Sequence, residues 1–329
     1  MTILVAFALV AVAFLTGLLA AAAGGQWVVG VAVPYLAVSI FLVGIVIRVL
    51  GWARIPVPFR ITTTCGQQRA LDWIPSQRIE NPPDTRSVIG RMALEILCFR
   101  SLLRNTKTVL VDGRRLVYAT DLSLWLGAMA FHWAMLVVLL RHLRLVTNPV
   151  PAFVTLVERT DGFLEIGMPV VYLTSFVLLA AVAYLLVRRL TIPTVRYISL
   201  VGDYFPLFLL LGIAGSGIWM RHLAPTDITS VKAMLLGLIS FSPVVAPSVA
   251  PLFYGHLLLV SVLLAYFPFS KLLHAPGVFL SPTRNLANTN RAVRHVNPWD
   301  YPVKVHTYDE YEDELREKMI AAGLPVERQ

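Results

Sequence analysis

Six stretches of this sequence, residues 3–23, 28–50, 122–146, 167–187, 200–220 and 249–270, each run for at least 21 residues with few charges. A bilayer core about 30 Å thick is crossed by about 20 residues of α-helix, so every stretch is long enough to span it. The chain is therefore expected to be an all-α integral membrane protein with six transmembrane helices. Composition agrees: 57% of the residues are hydrophobic and 14% charged, against roughly 45–50% and 25% in soluble chains, which excludes a water-soluble globule. The first stretch has a second reading as a signal peptide, because LAAAAGG offers small residues for cleavage. No Lys or Arg precedes its apolar run and that run is long, so a retained helix is the expectation.

Basic residues orient the helices. Arg48, the loop 51–121, the connection 188–199 and the tail 271–329 hold 23 of the 28 Lys and Arg residues. The other five, Arg141, Arg144, Arg159, Arg221 and Lys232, lie at or between the opposite helix ends. Positive charge stays on the cytoplasmic side, which places both termini and the 51–121 loop there, in a multi-pass protein of the cell (inner) membrane. The formal charge of +9 thus bears on orientation and lipid contact before nucleic acid. Four segments follow: two N-terminal helices (1–50), a cytoplasmic loop (51–121), a four-helix core (122–274) and a cytoplasmic tail (275–329). The stretch 231–246 is too short to span and is expected at the outer surface.

Within the loop, RSVIGRMALEILCFRSLLRN sets Ile89, Met92, Ala93, Ile96 and Leu103 at helical spacing against Arg86, Arg91, Arg100 and Arg104. This predicts a basic amphipathic helix, resting on anionic headgroups or docking a soluble partner, the former slightly preferred. The tail opens with APGVFLSPTRN and NPWDYP, expected to be irregular but ordered, and ends in YDEYEDELREKMIAAGLP, expected to be a short charged helix stopped by Gly323 and Pro325. Over 271–329 eight basic and eight acidic residues cancel, so headgroup attraction does not account for the tail and a protein partner at the cytoplasmic face does.

Cys65 and Cys98 form neither a CxxC pair nor a CxxCH sequence, so any redox cofactor must bind through other residues. Histidines are the candidates. His132 and His142 lie on the third span, and His256 and His274 lie on or just beyond the sixth. Ionisable groups at such depth are costly and rare. Separations of ten and eighteen residues turn a helix by net angles of about 80° and 0°, so each pair occupies one face. The two spans are antiparallel, and the pairing that makes two layers is His142 with His256 near the outside and His132 with His274 near the cytoplasm. That arrangement suits two bis-histidine haems b, whose six-coordinate iron carries electrons and leaves no open position for oxygen. The two intervals rise about 15 Å and 27 Å, so the layers are level only if helices tilt or the chain bends near Pro268, and His274 is the least secure ligand. His222, His295 and His306 are read as solvated.

Other residues carry weaker signals. Gly127, Gly212, Gly215, Gly217 and Gly255 suit either close helix packing or a flat ligand, with packing preferred for each. Arg141, Arg144, Arg221 and Lys271 are positioned either to pair with haem propionates or to snorkel to the interface. Asp203 either joins a proton route or bonds locally.

At these residues the chain resembles the membrane cytochrome b family typified by the gamma subunit of respiratory nitrate reductase. FHWAMLVVLLRHLRL, DYFPLFLLLGIAGSGIWMR, AYFPFSKLLHAPGVFLSPTRN and NPWDYPVKVHTYDEYEDELREKM are most similar to the DsrM-type subunits of the Dsr complex of sulfate-reducing organisms. The resemblance covers nearly the whole chain, with one N-terminal helix more than the five spans of the nitrate reductase subunit. It implies menaquinol oxidation and electron delivery to a cytoplasmic iron-sulfur partner resembling heterodisulfide reductase, alongside other membrane and extracytoplasmic redox subunits. It also implies a quinol site beside one haem, here taken as the outer one. Glu158, Asp161 and Glu165 are then the candidate proton acceptors, with Arg144 or Tyr254 as candidate hydrogen-bond donors, the alternative for each being a solvated polar loop. The competing classes are a transporter, which requires repeated halves that this sequence lacks, and a passive membrane anchor, which requires no buried imidazoles.

Overall fold

The computed structural model describes residues 1–55, 66–104, 107–165, 169–289, 302 and 304–327. Cys65, His295 and most of the NPWDYP segment fall outside them. Six helices are long and apolar enough to cross a bilayer: α1 (Thr2–Ala22), α2 (Val33–Ala53, entered through a π turn at Val28–Ala32), α4 (Leu122–His142), α6 (Leu173–Thr191), α8 (Val201–His222) and α10 (Pro251–Tyr266). Between them lie α3 (Thr85–Cys98), the hairpin β1 (Lys107–Val111) and β2 (Arg115–Ala119), α5 (Ala152–Asp161), the short pair β3 (Gly162–Leu164) and β4 (Val171–Tyr172), α7 (Pro193–Tyr197) and α9 (Ile228–Ile239). The tail adds α11 (His274–Leu280), α12 (Pro282–Asn285) and α13 (Tyr308–Ala321). The fold is an all-α multi-span membrane protein, as the hydropathy pattern predicts.

Two small sheets depart from that expectation. In β1–β2 the sequence TVLVDGRRLVYA turns at Asp112 and Gly113, both left-handed (φ 53° and 65°), closed by the Arg114 N–H donating to the Val111 carbonyl. Asp-Gly between apolar runs is a hairpin signal. In β3–β4, Gly162 pairs with Tyr172, so the fourth span begins at Leu173 rather than at 167.

α1 lies along α8 and α10, α2 along α10, and α6 joins α4 to α8. α1 presents Ala6, Val10, Gly17 and Ala21 inward and leaves Leu4, Phe7, Val12, Leu15 and Leu19 exposed, the pattern of a helix between protein and lipid. At Gly17 an added Cβ would stand 2.8 Å from the Tyr254 carbonyl oxygen, so only glycine lets α1 approach α10 this closely.

Charges brace both ends of the bundle. At the end carrying the loop, Asp121 caps α4 through the Leu124 N–H (3.0 Å) and pairs with Arg188 of α6 at 2.5 Å. Asp203 at the start of α8 pairs with Lys271 (2.6 Å) and accepts from the Leu200 N–H (3.0 Å), the local bonding considered for it. The loop and the start of the tail fold together: Asn288 donates through its backbone to the Pro82 carbonyl (2.6 Å) and through its side chain to Asn81 (2.8 Å).

The amphipathic helix forms as α3, with its arginines turned to internal pairing. α3 buries Val88, Arg91 and Glu95 and exposes Ile89, Leu94 and Leu97. Arg91 donates to the Glu80 carbonyl (2.6 Å), while Arg100 and Arg104 pair with the Glu80 carboxylate. Three of the four arginines of this basic set are thus gathered around Glu80. Burial would raise the Glu80 carboxyl, but the hydrogen bond and charge of Arg100, with Arg104 and Arg91 beyond, carry it below its ordinary range. α13 forms where expected, opened by a Thr307–Glu310 capping box and followed by Gly323 at φ 70°.

Candidate functional site

His132 and His142 project from α4, whose principal packing partners are α6 and α5, whereas α10 packs on α1, α2 and α8. Helices in direct contact have axes about 8–10 Å apart, so two helices that do not pack along each other leave width for long side chains to meet between them. After Tyr266 the chain leaves the α-helix through a 3-10 turn at Phe267–Phe269, extends at Ser270 and turns again at Lys271–Leu273. This bend at Pro268 brings His274 back to His132, with ring centroids 5.9 Å apart and planes at 83°. The difference in helical rise between the two pairs is absorbed there.

A metal–imidazole bond is about 2 Å long and the ring centre lies about 1 Å behind the nitrogen, so imidazoles sharing one metal have centroids about 6 Å apart. The His132–His274 separation fits that value. In all four residues Nδ1 is engaged: His132 with the Ala128 carbonyl (2.8 Å), His142 with the Val138 carbonyl (2.7 Å), His274 with the Lys271 carbonyl (2.8 Å) and His256 with Ser216 Oγ (2.8 Å). The Ser216 hydroxyl itself donates to the Gly212 carbonyl (2.6 Å), so it accepts from His256. A proton on Nδ1 leaves the Nε2 lone pair for iron, and such outer partners fix tautomer and ring orientation. The inner pair therefore fits bis-histidine haem, and His142 and His256 keep Nε2 free in the same way; among the described residues no group of three or more His, Cys, Asp or Glu forms an alternative metal site.

The glycines divide. An added Cβ at Gly127 would strike Tyr184 at 2.5 Å, one at Gly255 would strike Phe14 at 2.9 Å and one at Gly212 would crowd Leu259 at 3.0 Å, so these serve helix packing. At Gly217 the nearest atom would be His256 Cε1 at 3.5 Å, and at Gly215 nothing lies within 4 Å. Gly217 thus keeps the α8 wall beside His256 low, while Gly215 faces open space.

At the end away from the loop, Arg141 is buried, pairs with Asp161 (3.0 Å) and donates to Ser175 Oγ (2.9 Å). Asp161 also accepts from the Thr174 N–H (2.9 Å) and hydroxyl (2.6 Å), which staples β4 and α6 to α5. The guanidiniums of Arg141 and Arg221 lie 3.9 and 4.3 Å from the centre of the Tyr172 ring, and Arg221 Nε donates to the Val170 carbonyl. Arg144 pairs with Glu158 at 2.9 Å. Glu158, Gly162, Glu165 and Tyr172 line a shallow depression of about 470 Å³. Tyr254 is elsewhere: it is fully buried, its ring against Gly30 of the π turn, and its hydroxyl has no partner among the described residues. His222, expected to be solvated, is half-buried beside Phe176, whereas His306 is exposed. Sequence reasoning passed over Ser216, Tyr172 and Phe99, whose ring lies 4.8 Å from that of His132. A hydroxyl or an aromatic ring at these positions has no signature of its own.

An apolar six-helix bundle with two histidines on α4 and two on the α10 side is in keeping with a membrane cytochrome b, and the family comparison gives that class: residues 116–295 match the nitrate reductase gamma subunit family, to which the chain belongs. Within that class it is 44% identical over 278 residues to the Hdr-like menaquinol oxidoreductase cytochrome b-like subunit of Archaeoglobus fulgidus, covering 82% of this chain and 83% of that one. It is 39% identical over 278 residues to the subunit of the same name from Archaeoglobus profundus, covering 82% of each.

Proposed function

We propose that this chain is the membrane cytochrome b subunit of a menaquinol-oxidising complex of the DsrM type, serving sulfur or sulfate respiration. It takes electrons from menaquinol at the outer face and delivers them to a cytoplasmic iron-sulfur protein resembling heterodisulfide reductase, beside other membrane and extracytoplasmic redox subunits. His142 and His256 hold the outer haem b, and His132 and His274 hold the cytoplasmic-side one. The observation that carries this reading is the His132–His274 pair, 5.9 Å between centroids with both Nδ1 atoms engaged. The names of the two Archaeoglobus relatives support the quinol as substrate.

When bound, haem b supplies a one-electron carrier at each level, and ten residues of α4 set the levels about 15 Å apart. The chain's own residues do the rest. Carbonyl and hydroxyl acceptors on Nδ1 hold each imidazole in one tautomer. Glu158, on the rim of the outer depression and held by Arg144, is placed to take a quinol proton at its carboxylate. Asp161 is committed to Arg141 and Thr174, so within this scheme it positions the outer wall, while Arg221 packs over Tyr172 and serves as the propionate partner. Protons released outside while electrons move inward build membrane potential, each charge crossing being worth about 2.3 kcal/mol per 100 mV.

The test is steady-state and single-turnover oxidation of a menaquinol analogue by the purified complex. Haem b absorbance should rise within the turnover time, and Glu158→Gln should slow that reduction at least tenfold while dithionite still reduces both haems. Quinol that leaves the b absorbance unchanged in a haem-loaded complex contradicts the proposal.

A further inference from the structure

We infer that Phe99, in the loop, is a positioning residue for the inner ligand His132; the inference rests on the haem reading above. Phe99 ends α3 in the left-handed region, φ 47° and ψ 48°, where glycine is usual and a bulky side chain is disfavoured. Glycine would end the helix without that strain, so the aromatic ring must matter for what it touches.

Three independent contacts hold Phe99 in place. The indole of Trp125 donates to the Cys98 carbonyl (2.8 Å) and that of Trp133 to the Leu97 carbonyl (3.3 Å), fastening the residues just before Phe99 to α4. On the far side, Glu95 accepts from the Ser101 N–H (3.1 Å) and hydroxyl (2.6 Å), closing the chain after it. The Phe99 ring consequently stands at 67° to the His132 imidazole, 4.8 Å between centroids.

Four groups then bound His132, Phe99 among them. Phe131 lies 4.8 Å away at 81°, the Ala128 carbonyl holds Nδ1, and His274 faces the ring at 5.9 Å. Of these, Phe99 alone comes from the loop rather than from α4 or the chain after α10. A strained residue held in place by its surroundings is a device for orientation. The angle between two axial imidazole planes sets the anisotropy of a low-spin ferric signal, so the ring that limits rotation of His132 is visible spectroscopically.

The experiment uses the intact complex, with haem counted by pyridine haemochrome and the two low-spin ferric signals resolved by electron paramagnetic resonance. Phe99→Gly removes both ring and strain, Phe99→Leu keeps most of the volume, and Trp125→Phe removes one tether. The inner signal is defined as the one missing in His132→Ala. The expected result is a displaced or lost inner signal in Phe99→Gly and Phe99→Leu, a smaller displacement in Trp125→Phe, and an outer signal superimposable on wild type. Inner signals unchanged in Phe99→Gly overturn the inference, as does an unchanged Phe99→Leu signal, which would leave a space-filling role. A wild-type complex without b haem would instead overturn the reading on which it rests.

Discussion

His274 meets His132 because the chain breaks at Pro268. The helix stops at Tyr266, and two short turns later the imidazole stands 5.9 Å from its counterpart on α4. The bend is itself held by Gly44 of α2, where an added Cβ would lie 2.7 Å from Pro268 Cβ and 2.8 Å from Cγ. A proline ring cannot yield as a flexible side chain does, so Gly44→Ala should push the bend away from α2. Overpacking of this kind costs about 1–3 kcal/mol. Haem content per chain is the readout: Gly44→Ala should lower inner occupancy and leave the outer haem in place.

Ser216 is the only one of the four Nδ1 partners that is a side chain, and it can therefore be removed without disturbing a helix. Loss of an outer partner to a metal-bound histidine costs about 10–100-fold in affinity. Ser216→Ala should make the outer haem easier to extract and shift its midpoint potential, while Ser216→Thr, which keeps the hydroxyl, should restore both. Redox titration of the two variants decides it, and identical potentials in Ser216→Ala and wild type would refute it.

Arg141 and Asp161 form a buried pair that joins α4 to α5, and Thr174 extends it to α6. Removing one partner of a buried pair leaves the other charge uncompensated, at a cost of about 3–5 kcal/mol. Arg141→Met should therefore lower thermal stability strongly, and the double variant Arg141→Met with Asp161→Leu should recover much of it. A melt in detergent of all three proteins measures this; a double variant no better than the single one would contradict it.

Acid should loosen the loop-bearing end before the rest. Burial raises the Asp121 carboxyl, but the hydrogen bond and charge of Arg188, with the Leu124 N–H and Ser123, bring it down to about 2. A carboxyl with a depressed folded value contributes stability that is complete above its unfolded value near 4 and is lost as pH falls toward the folded one. Glu80 is shifted in the same direction. Protease sensitivity of the 66–104 segment should consequently stay flat from neutral pH to about 5 and rise as pH falls below about 4, and Asp121→Asn should weaken the α4–α6 brace already at neutral pH.

How much of this was readable beforehand depended on whether a pattern repeats. Hydropathy over 20 residues marks a span with or without neighbours, and the spacing of His132 and His142 places them on one face whatever lies opposite. The bend at Pro268 was legible because proline disrupts a helix locally. The environment of α3 was not: its arginines look ready for phosphate headgroups until the fold supplies Glu80, eleven residues before Arg91 and twenty before Arg100. Phe99 and Ser216 owe their positions to tertiary contacts, which leave no periodic trace. The β1–β2 hairpin was readable from its Asp-Gly turn and was obscured only by the surrounding helical context.

The central claim is that this bundle holds two haems b, each between one histidine of α4 and one from the α10 side. Haem b per chain, measured by pyridine haemochrome in the purified complex, tests it most directly in wild type and in His132→Ala, His142→Ala, His256→Ala and His274→Ala. The account predicts two in wild type and one in each variant, with His132→Ala and His274→Ala losing the same haem and His142→Ala and His256→Ala the other. A wild-type count other than two, or variants that pair differently, would contradict it.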